Sequence, residues 1–229
     1  MSHRSLRALA LLCCATLAGC GDGSGILGTA GSPDAVTVRF VNATASPLDL
    51  AVNGTVTAAN AGIASGAGVG CFSVPDPAAP GLTFRQAGAT TDISGFTPFF
   101  SSAGRYTVVA YPGASGLIQF ISVPNAFIPI SGRGALRVFN GSSGLGVVDV
   151  HVSTPGATLG TATMAGIGFG AASGSFDVAP GTVQVRLTSS GTTTLVFDAG
   201  NQLLDAGKSY TLVVSSATAA ILVPDCLSP

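Results

Sequence analysis

The sequence contains no glutamate and no tryptophan, and charged residues make up only 8% of its 229 positions. All ten acidic residues are aspartates, and they are scattered along the chain. This pattern excludes a calcium loop that ends on a glutamate and offers no persuasive carboxylate pair for glycoside hydrolysis. The glycine-rich stretches 66–70 and 166–170 have the spacing neither of a dinucleotide-binding loop nor of a P-loop. We therefore expect no cofactor and no metal site.

Histidine is nearly absent as well. His3 lies in the N-terminal leader, which leaves His151 as the single histidine of the remaining chain. His151 stands two residues after Asp149 in a strand pattern, and strand alternation places both side chains on the same face. A catalytic dyad would still need a nucleophile brought close by the fold. We expect a surface strand pair instead, and no enzymatic activity.

Basic residues are too few for a surface that binds nucleic acid. The whole chain has nine bases and ten acids, a net charge of −1. Removal of residues 1–19 removes Arg4 and Arg7, which leaves seven bases (9 − 2) against ten acids, a net charge of −3. Nucleic-acid-binding domains carry a basic patch. We therefore expect no nucleic-acid partner.

The residues that are abundant favour strands and turns. The chain has 32 glycines and 13 prolines, and Val, Thr, Phe and Ile recur in short runs between them. Mean hydropathy is +0.57. Beyond the N-terminus, however, Gly, Pro or Ser interrupts every apolar run before it could span a bilayer as a helix. The composition predicts an all-β fold.

Residues 1–19 have the pattern of a bacterial lipoprotein signal peptide. Two arginines precede a short apolar segment, and Leu17-Ala-Gly-Cys20 resembles the lipobox at which the leader is cut and the cysteine acylated. The alternatives are an ordinary secretory signal and a buried helix. Residues 20–34 are rich in Gly and Ser and predict a flexible tether. We expect a lipid anchor on Cys20 that attaches the protein to a membrane of the bacterial cell envelope, and Gly21 favours the outer membrane.

The cysteines fit this location. Cys13 and Cys14 leave with the leader and Cys20 is acylated, so Cys71 and Cys226 remain in an oxidising compartment. A metal site is the competing interpretation, but two cysteines without His or Asp at ligand spacing support it weakly. We predict a Cys71–Cys226 disulfide.

One motif occurs twice. Arg39-Phe-Val-Asn42 is followed by Asp49-Leu-Ala-Val52, and Arg137-Val-Phe-Asn140 is followed by Asp149-Val-His-Val152. Each copy opens a unit of about 100 residues with short strand patterns and turn signals, as in a β-sandwich. We predict two tandem immunoglobulin-like antiparallel β-sandwich domains, at residues 35–124 and 134–226, joined by a linker at 125–133. The strands predicted for the first unit are 36–41, 48–52, 69–74, 82–86, 105–111 and 117–123, with an Asn53-Gly54 hairpin turn.

The second unit resembles the bacterial domain of unknown function 4397. The pattern of that family begins with Arg-Val-x-Asn and Asp-Val-x-Val and continues with Phe-Gly-x-x-Ser, a Pro-Gly turn and Gly-x-x-Tyr-Thr. These elements fall on 137–140, 149–152, 169–173, 180–181 and 207–211. The first unit keeps the opening motif, Asp49 and the Tyr106 strand, but lacks Phe-Gly-x-x-Ser. The resemblance implies an extracytoplasmic module with no assigned chemistry.

The repeated polar residues have a structural interpretation. Asn42 and Asn140 end a strand, and asparagine side chains cap the turns that follow such strands. We expect Asp49 and Asp149 to bond to that turn or to pair with Arg39 and Arg137. A binding site made of this set is the alternative.

Phe96, Phe99 and Phe100 form the only dense aromatic cluster. It is either a ligand-stacking platform or a core patch. The sequence favours a non-enzymatic, membrane-anchored envelope or cell-surface protein with a structural or interaction role. The alternative is an adhesion module that binds a glycan or an envelope protein through its loops and the Phe96–Phe100 region. An accessory hydrolase is a third, weaker hypothesis.

Overall fold

The part of the chain that the structure describes is built from β-strands and turns and has no α-helix. The structure is a computed structural model and describes residues 35–74, 81–93, 96, 100–101 and 103–226. Two short 3-10 turns, Ala58–Asn60 and Ser143–Leu145, are its helical elements. Within these ranges no helix has the length and apolar character needed to cross a membrane. The predicted all-β class is confirmed.

The strands form two consecutive sets. The first strand set comprises β1 (Val36–Asn42), β2 (Leu48–Val52), β3 (Thr55–Val56), β4 (Ala67–Gly68), β5 (Phe72–Val74), β6 (Leu82–Gln86), β7 (Arg105–Pro112) and β8 (Ile118–Pro124). The second comprises β9 (Gly134–Asn140), β10 (Val148–Ser153), β11 (Met164–Ile167), β12 (Ala171–Ala172), β13 (Phe176–Val178), β14 (Gly181–Ser189), β15 (Leu195–Leu204), β16 (Ser209–Ser216) and β17 (Ala219–Pro224).

Sheets A and C pair their strands in the same order, whereas sheet D has one strand more than sheet B among the described residues. In the first set, sheet A has the order β4-β1-β7-β8, with β5 also on β1, and sheet B has the order β3-β2-β6. In the second set, sheet C has the order β12-β9-β16-β17, with β13 also on β9, and sheet D has the order β11-β10-β14-β15. The registers also match, because Arg39 lies opposite Thr107 in sheet A and Arg137 lies opposite Thr211 in sheet C. Positions that share the sequence motif therefore share their place in the sheet.

Each set has a core between its two sheets. Alternate side chains of each strand point the same way, and the apolar ones meet across the sheets. Phe40 of sheet A packs on Phe84 of sheet B, with ring centroids 4.7 Å apart. Leu136 of sheet C and Leu187 of sheet D belong to the corresponding cluster of the second set, and both are fully buried.

Sheets A and C also pack against each other through their outer faces, a contact called the junction below. Strand β9 is buried along its whole length and β16 along most of it, because both of their faces are covered. The rings of Tyr111 and Phe139 meet edge-on across the junction, with centroids 5.1 Å apart. The buried residues of this third cluster are Val41, Ala43, Val109, Tyr111, Phe139, Val213 and Val223. The layers therefore follow the order B, A, C, D.

The sequence predicts antiparallel sandwich sheets, and sheets B and D are antiparallel. Sheets A and C differ from that prediction, because each contains one parallel pair. Strand β1 runs parallel to β7, and β9 runs parallel to β16. A parallel pair needs a long connection between its strands. Here the chain passes through the other sheet of the same set before it returns, and this detour supplies the connection.

The predicted strands of the first set agree with the observed ones except near the first disulfide cysteine. The run predicted at 69–74 is interrupted, so that Cys71 stands just before β5 rather than within a strand. The predicted hairpin turn is confirmed, since Asn53 and Gly54 have φ values of 51° and 77° between β2 and β3. Two consecutive residues with positive φ are what the tight hairpin turn requires.

Replacement of Phe139 by Ala should lower the free energy of unfolding by about 3–5 kcal/mol, the usual cost of a buried Phe-to-Ala change. Phe139 is fully buried at the junction, whereas Ile128, 83% exposed, provides the control. The Ile128→Ala variant should cost less than about 0.5 kcal/mol. Urea denaturation of both variants measures the difference, and equal costs would contradict the packing described for the junction.

Candidate functional site at the junction

Arg137 is buried at the edge of the junction, with 4% of its surface exposed. Its Nη1 donates to the Pro124 carbonyl at 2.6 Å, and its Nη2 donates to the Thr211 hydroxyl at 2.7 Å and to Asn125 Oδ1 at 2.8 Å. Both carboxylate oxygens of Asp225 lie 3.4 Å from Nη2. Burial lowers the pKa of Arg137, and Asp225 opposes this shift. The cation is therefore compensated by acceptors from both strand sets.

Asp225 and Asn125 occupy equivalent places, each directly after the last strand of its set. Asp225 accepts hydrogen bonds from Thr211 at 2.6 Å and Ser209 at 2.9 Å. Asn125 donates to the Thr107 hydroxyl at 3.1 Å. Sequence reasoning missed both residues. The sequence does contain a signal for them: Asn125 and Asp225 each follow a Val-Pro pair, and the two repeats align at these pairs.

Arg39, the counterpart of Arg137, is only partly buried. Its Nη1 donates to the Val69 carbonyl at 3.3 Å, and its Nη2 donates to Cys71 Sγ at 3.4 Å. Burial lowers the pKa of Arg39, while Asp225 acts in the opposite direction. The prediction that the two arginines pair with Asp49 and Asp149 is wrong, because Arg39 and Arg137 face the junction and the aspartates bond elsewhere.

A disulfide joins Cys71 to Cys226 and links the two strand sets across the junction. Its Cα atoms are 5.9 Å apart, and the cysteines are 155 residues apart in sequence. Cys71 precedes β5 of the first set, and Cys226 follows β17 of the second. The predicted pairing is present in the structure, and it ties the segment after β17 to sheet A.

Removal of the disulfide should lower the free energy of unfolding by about 2–5 kcal/mol, because the bond closes a long loop in the unfolded chain. The test is urea denaturation of the double variant Cys71→Ala/Cys226→Ala. Wild-type protein held in excess reductant should unfold at the same urea concentration as this variant. A variant as stable as the oxidised wild type would contradict the prediction.

Asp49 and Asp149 each accept hydrogen bonds from two turns that contain glycine. Asp149 accepts from the backbone N–H groups of Gly166 and Gly191, both at 2.8 Å, and from the Ser190 hydroxyl at 2.8 Å. Asp49 accepts from the equivalent glycines of the first set at 2.6 and 2.8 Å. All four donor glycines have positive φ, a conformation that favours glycine: Gly62, Gly88, Gly166 and Gly191. The prediction that these aspartates bond to the turn after β1 or β9 is also wrong, since each carboxylate reaches two other turns.

Asn42 and Asn140 perform the capping role predicted for them. Asn42 Nδ2 donates to the carbonyls of Ser46 at 2.9 Å and Ile63 at 2.8 Å, and its Oδ1 accepts from the Thr44 N–H at 3.0 Å. Asn140 Nδ2 makes the equivalent bonds to the carbonyls of Gly146 and Ile167. Both asparagines are fully buried. The repeated Arg, Asn and Asp residues therefore all make contacts within the protein, although Arg39 Nε has no hydrogen-bond partner among the described residues.

Replacement of Asp149 by Asn should cost about 1–3 kcal/mol at neutral pH, because an amide N–H would then face a backbone donor. The hydrogen bonds from Gly191, Gly166 and Ser190 hold the pKa of Asp149 below its ordinary value of 3.8. With a lowered folded-state pKa, the carboxylate stabilises the fold fully above its unfolded pKa, and this contribution disappears as the pH falls through the folded pKa.

The stability difference between wild type and Asp149→Asn should accordingly be constant above about pH 5 and shrink below about pH 4. Denaturation at several pH values measures it. Asp92→Asn is the control, since the side chain of Asp92 is 44% exposed and pairs with Arg85 at the surface, an arrangement worth about 0–1 kcal/mol. A difference that does not change with pH would contradict the assignment.

His151 makes one hydrogen bond to a loop and one to the neighbouring strand. Its Nδ1 lies 2.9 Å from the Gly160 carbonyl and donates to it, and its Nε2 lies 3.1 Å from Thr188 Oγ1. Gln184 and Arg186 hold the same loop through Gly156 and Thr158. The prediction of a surface pair is wrong, because His151 and Asp149 are both 6% exposed. Thr188 is fully buried.

The phenylalanine cluster packs inward where the structure describes it. Phe100 is 5% exposed and stacks near Tyr106, with centroids 4.7 Å apart. Phe96 is half-buried against Phe84 and Phe120, at 5.2 Å from each. Phe99 lies outside the described residues. The ligand-stacking platform is therefore not supported, because the two described rings fill the core of the first set.

A groove of about 490 Å³ borders the junction. The residues that line it are Val123, Pro124, Ala126, Phe127, Arg137 and 172–175. Arg137 already has its acceptors, so the groove presents mainly apolar surface. Within the described ranges, no group of three or more His, Cys, Asp or Glu side chains is placed to hold a metal ion.

Comparison with known proteins finds no matching family model and no matching curated protein. The resemblance to the domain of unknown function 4397 therefore stays a prediction from the residues of the second unit.

Proposed function

We propose that this chain is a non-enzymatic, lipid-anchored protein of the bacterial cell envelope with a structural or interaction role. We further propose that it consists of two tandem immunoglobulin-like β-sandwich domains related to the domain of unknown function 4397. The observation that carries the proposal is that its repeated polar residues bond to the protein itself. Arg137, Asn140 and Asp149 all serve as internal ties.

The two-domain organisation is supported by the cores. Each strand set has an apolar cluster of its own between its two sheets. The strand order and register of sheet A correspond to those of sheet C. The junction then joins two units that each have the layered build of a sandwich.

The non-enzymatic role is supported by the positions of the candidate catalytic groups. Both ring nitrogens of His151 are engaged, and the carboxylate of Asp149 has three donors. A general base must reach the proton that it abstracts. His151 in this arrangement is committed to Gly160 and Thr188.

The envelope location is supported by two independent features. The lipobox-like Leu17-Ala-Gly-Cys20 precedes a Gly- and Ser-rich stretch that leads to β1. The Cys71–Cys226 bond fits a compartment outside the reducing cytoplasm. The alternative of glycan or protein adhesion through the Phe96–Phe100 region has less support, since Phe96 and Phe100 pack into the core.

The anchor is tested with Cys20→Ser in the full-length chain. The variant should leave the membrane pellet, because acyl chains on Cys20 supply the partition free energy. The control is Cys13→Ser, which changes a leader cysteine and should leave the protein in the pellet. Membrane fractionation with a salt wash, followed by mass analysis of the N-terminal peptide, measures both. A Cys20→Ser protein that still pellets after the wash would contradict the lipid anchor.

A further inference from the structure

The two cysteines of the disulfide differ in their exposure to solvent. Cys71 is exposed, whereas Cys226 is 2% exposed. An external thiol or disulfide can therefore reach Cys71, whereas the surrounding protein shields Cys226. Thiol–disulfide exchange depends on which sulfur can be attacked.

Cys71 also has a neighbouring cation, which favours its thiolate form. The Arg39 guanidinium lies 3.4 Å from Cys71 Sγ, and a neighbouring cation favours a thiolate. Arg39 Nε is buried and has no hydrogen-bond partner within the described residues, so the side chain has unused donor capacity beside this sulfur. Cys226 is buried, and burial in the protein disfavours a thiolate.

We propose that Cys71 is the sulfur through which this bond is formed by an external disulfide, and that Cys226 is the buried resolving thiol. The Cys71 thiolate attacks one sulfur of the external disulfide. A mixed disulfide forms on Cys71, and the second external sulfur leaves as a thiolate. Cys226 then loses its proton and attacks Cys71 Sγ, which closes the bond and expels the remaining external thiolate. The protein dithiol is oxidised and the external disulfide is reduced to two thiols.

Arg39 is the positioning residue of this reaction. It acts through Cys71 and contacts no external group. The site therefore takes a disulfide-exchanging partner of the glutathione disulfide or protein-disulfide class, and it does so at the edge of the first strand set. This assignment is independent of the lipid anchor.

The first test locates the mixed disulfide in the wild-type protein. Reduced full-length protein is mixed with glutathione disulfide, quenched with acid after short times, alkylated and mapped by peptide mass spectrometry. The mixed disulfide should appear on Cys71, with the alkylating group on Cys226. Glutathione found first on Cys226, or equally on both, would overturn the proposal.

The second test uses single-cysteine variants. In these variants the mixed disulfide accumulates, because the second cysteine that would resolve it is missing. Cys226→Ser leaves Cys71, and Cys71→Ser leaves Cys226. The Cys71 sulfur should react with glutathione disulfide at least about tenfold faster, and an equal or reversed order would overturn the proposal. Circular dichroism establishes whether both variants are folded. If either is unfolded, the mapping of the wild-type protein decides the proposal.

The role of Arg39 is tested in the Cys226→Ser background. Arg39→Gln should slow the reaction about threefold, because the smaller thiolate fraction is partly offset by higher intrinsic nucleophilicity. Arg39→Lys keeps a positive charge and should restore most of the rate. An Arg39→Gln variant that reacts as fast as its parent would remove Arg39 from the assignment.

Discussion

The junction depends on the burial of one guanidinium. Arg137 cannot shed its charge at any ordinary pH, so folding must supply acceptors in place of the water that it loses. The acceptors come from Pro124 and Asn125 of the first strand set and from Thr211 and Asp225 of the second. Separation of the sets would break the first pair of contacts. The cation thus makes the apolar packing between sheets A and C specific, because only one placement satisfies it.

Equivalent faces meet at this junction, as they do in an isologous contact between identical subunits. The two faces differ, however, in the charged residues that they carry. Two arginines, Arg39 and Arg137, face one carboxylate, because Asn125 stands where the second set has Asp225. Since one carboxylate cannot fully compensate two buried cations, only Arg137 is deeply buried. Arg39 stays partly exposed and turns toward the cysteine sulfur.

The fold could be predicted from the sequence where local signals decide the structure. Alternating runs such as Val36–Asn42 and the Asn53-Gly54 turn specify strands and a hairpin directly. The partners of Asp149 could not be predicted, because Gly166 and Gly191 come near it only after β10, β11 and β14 have paired. The burial of His151 was missed for the same reason, since a loop of irregular sequence covers it. Parallel pairing was missed because alternation does not reveal strand direction.

The position of the disulfide explains why the open groove lies where it does. Cys71 stands one residue before β5, and Ser175 stands one residue before β13. Cys226 follows β17 at the same spacing as Ala126 follows β8. Ser175 and Ala126 both line the groove, so the groove lies beside the residues that are equivalent to the two disulfide cysteines. Cys71 and Cys226 are joined covalently beside the half-buried Arg39. Serine and alanine cannot form such a bond, so no covalent link joins the equivalent pair, and Arg137 beside them connects the two strand sets through hydrogen bonds to Pro124 and Asn125.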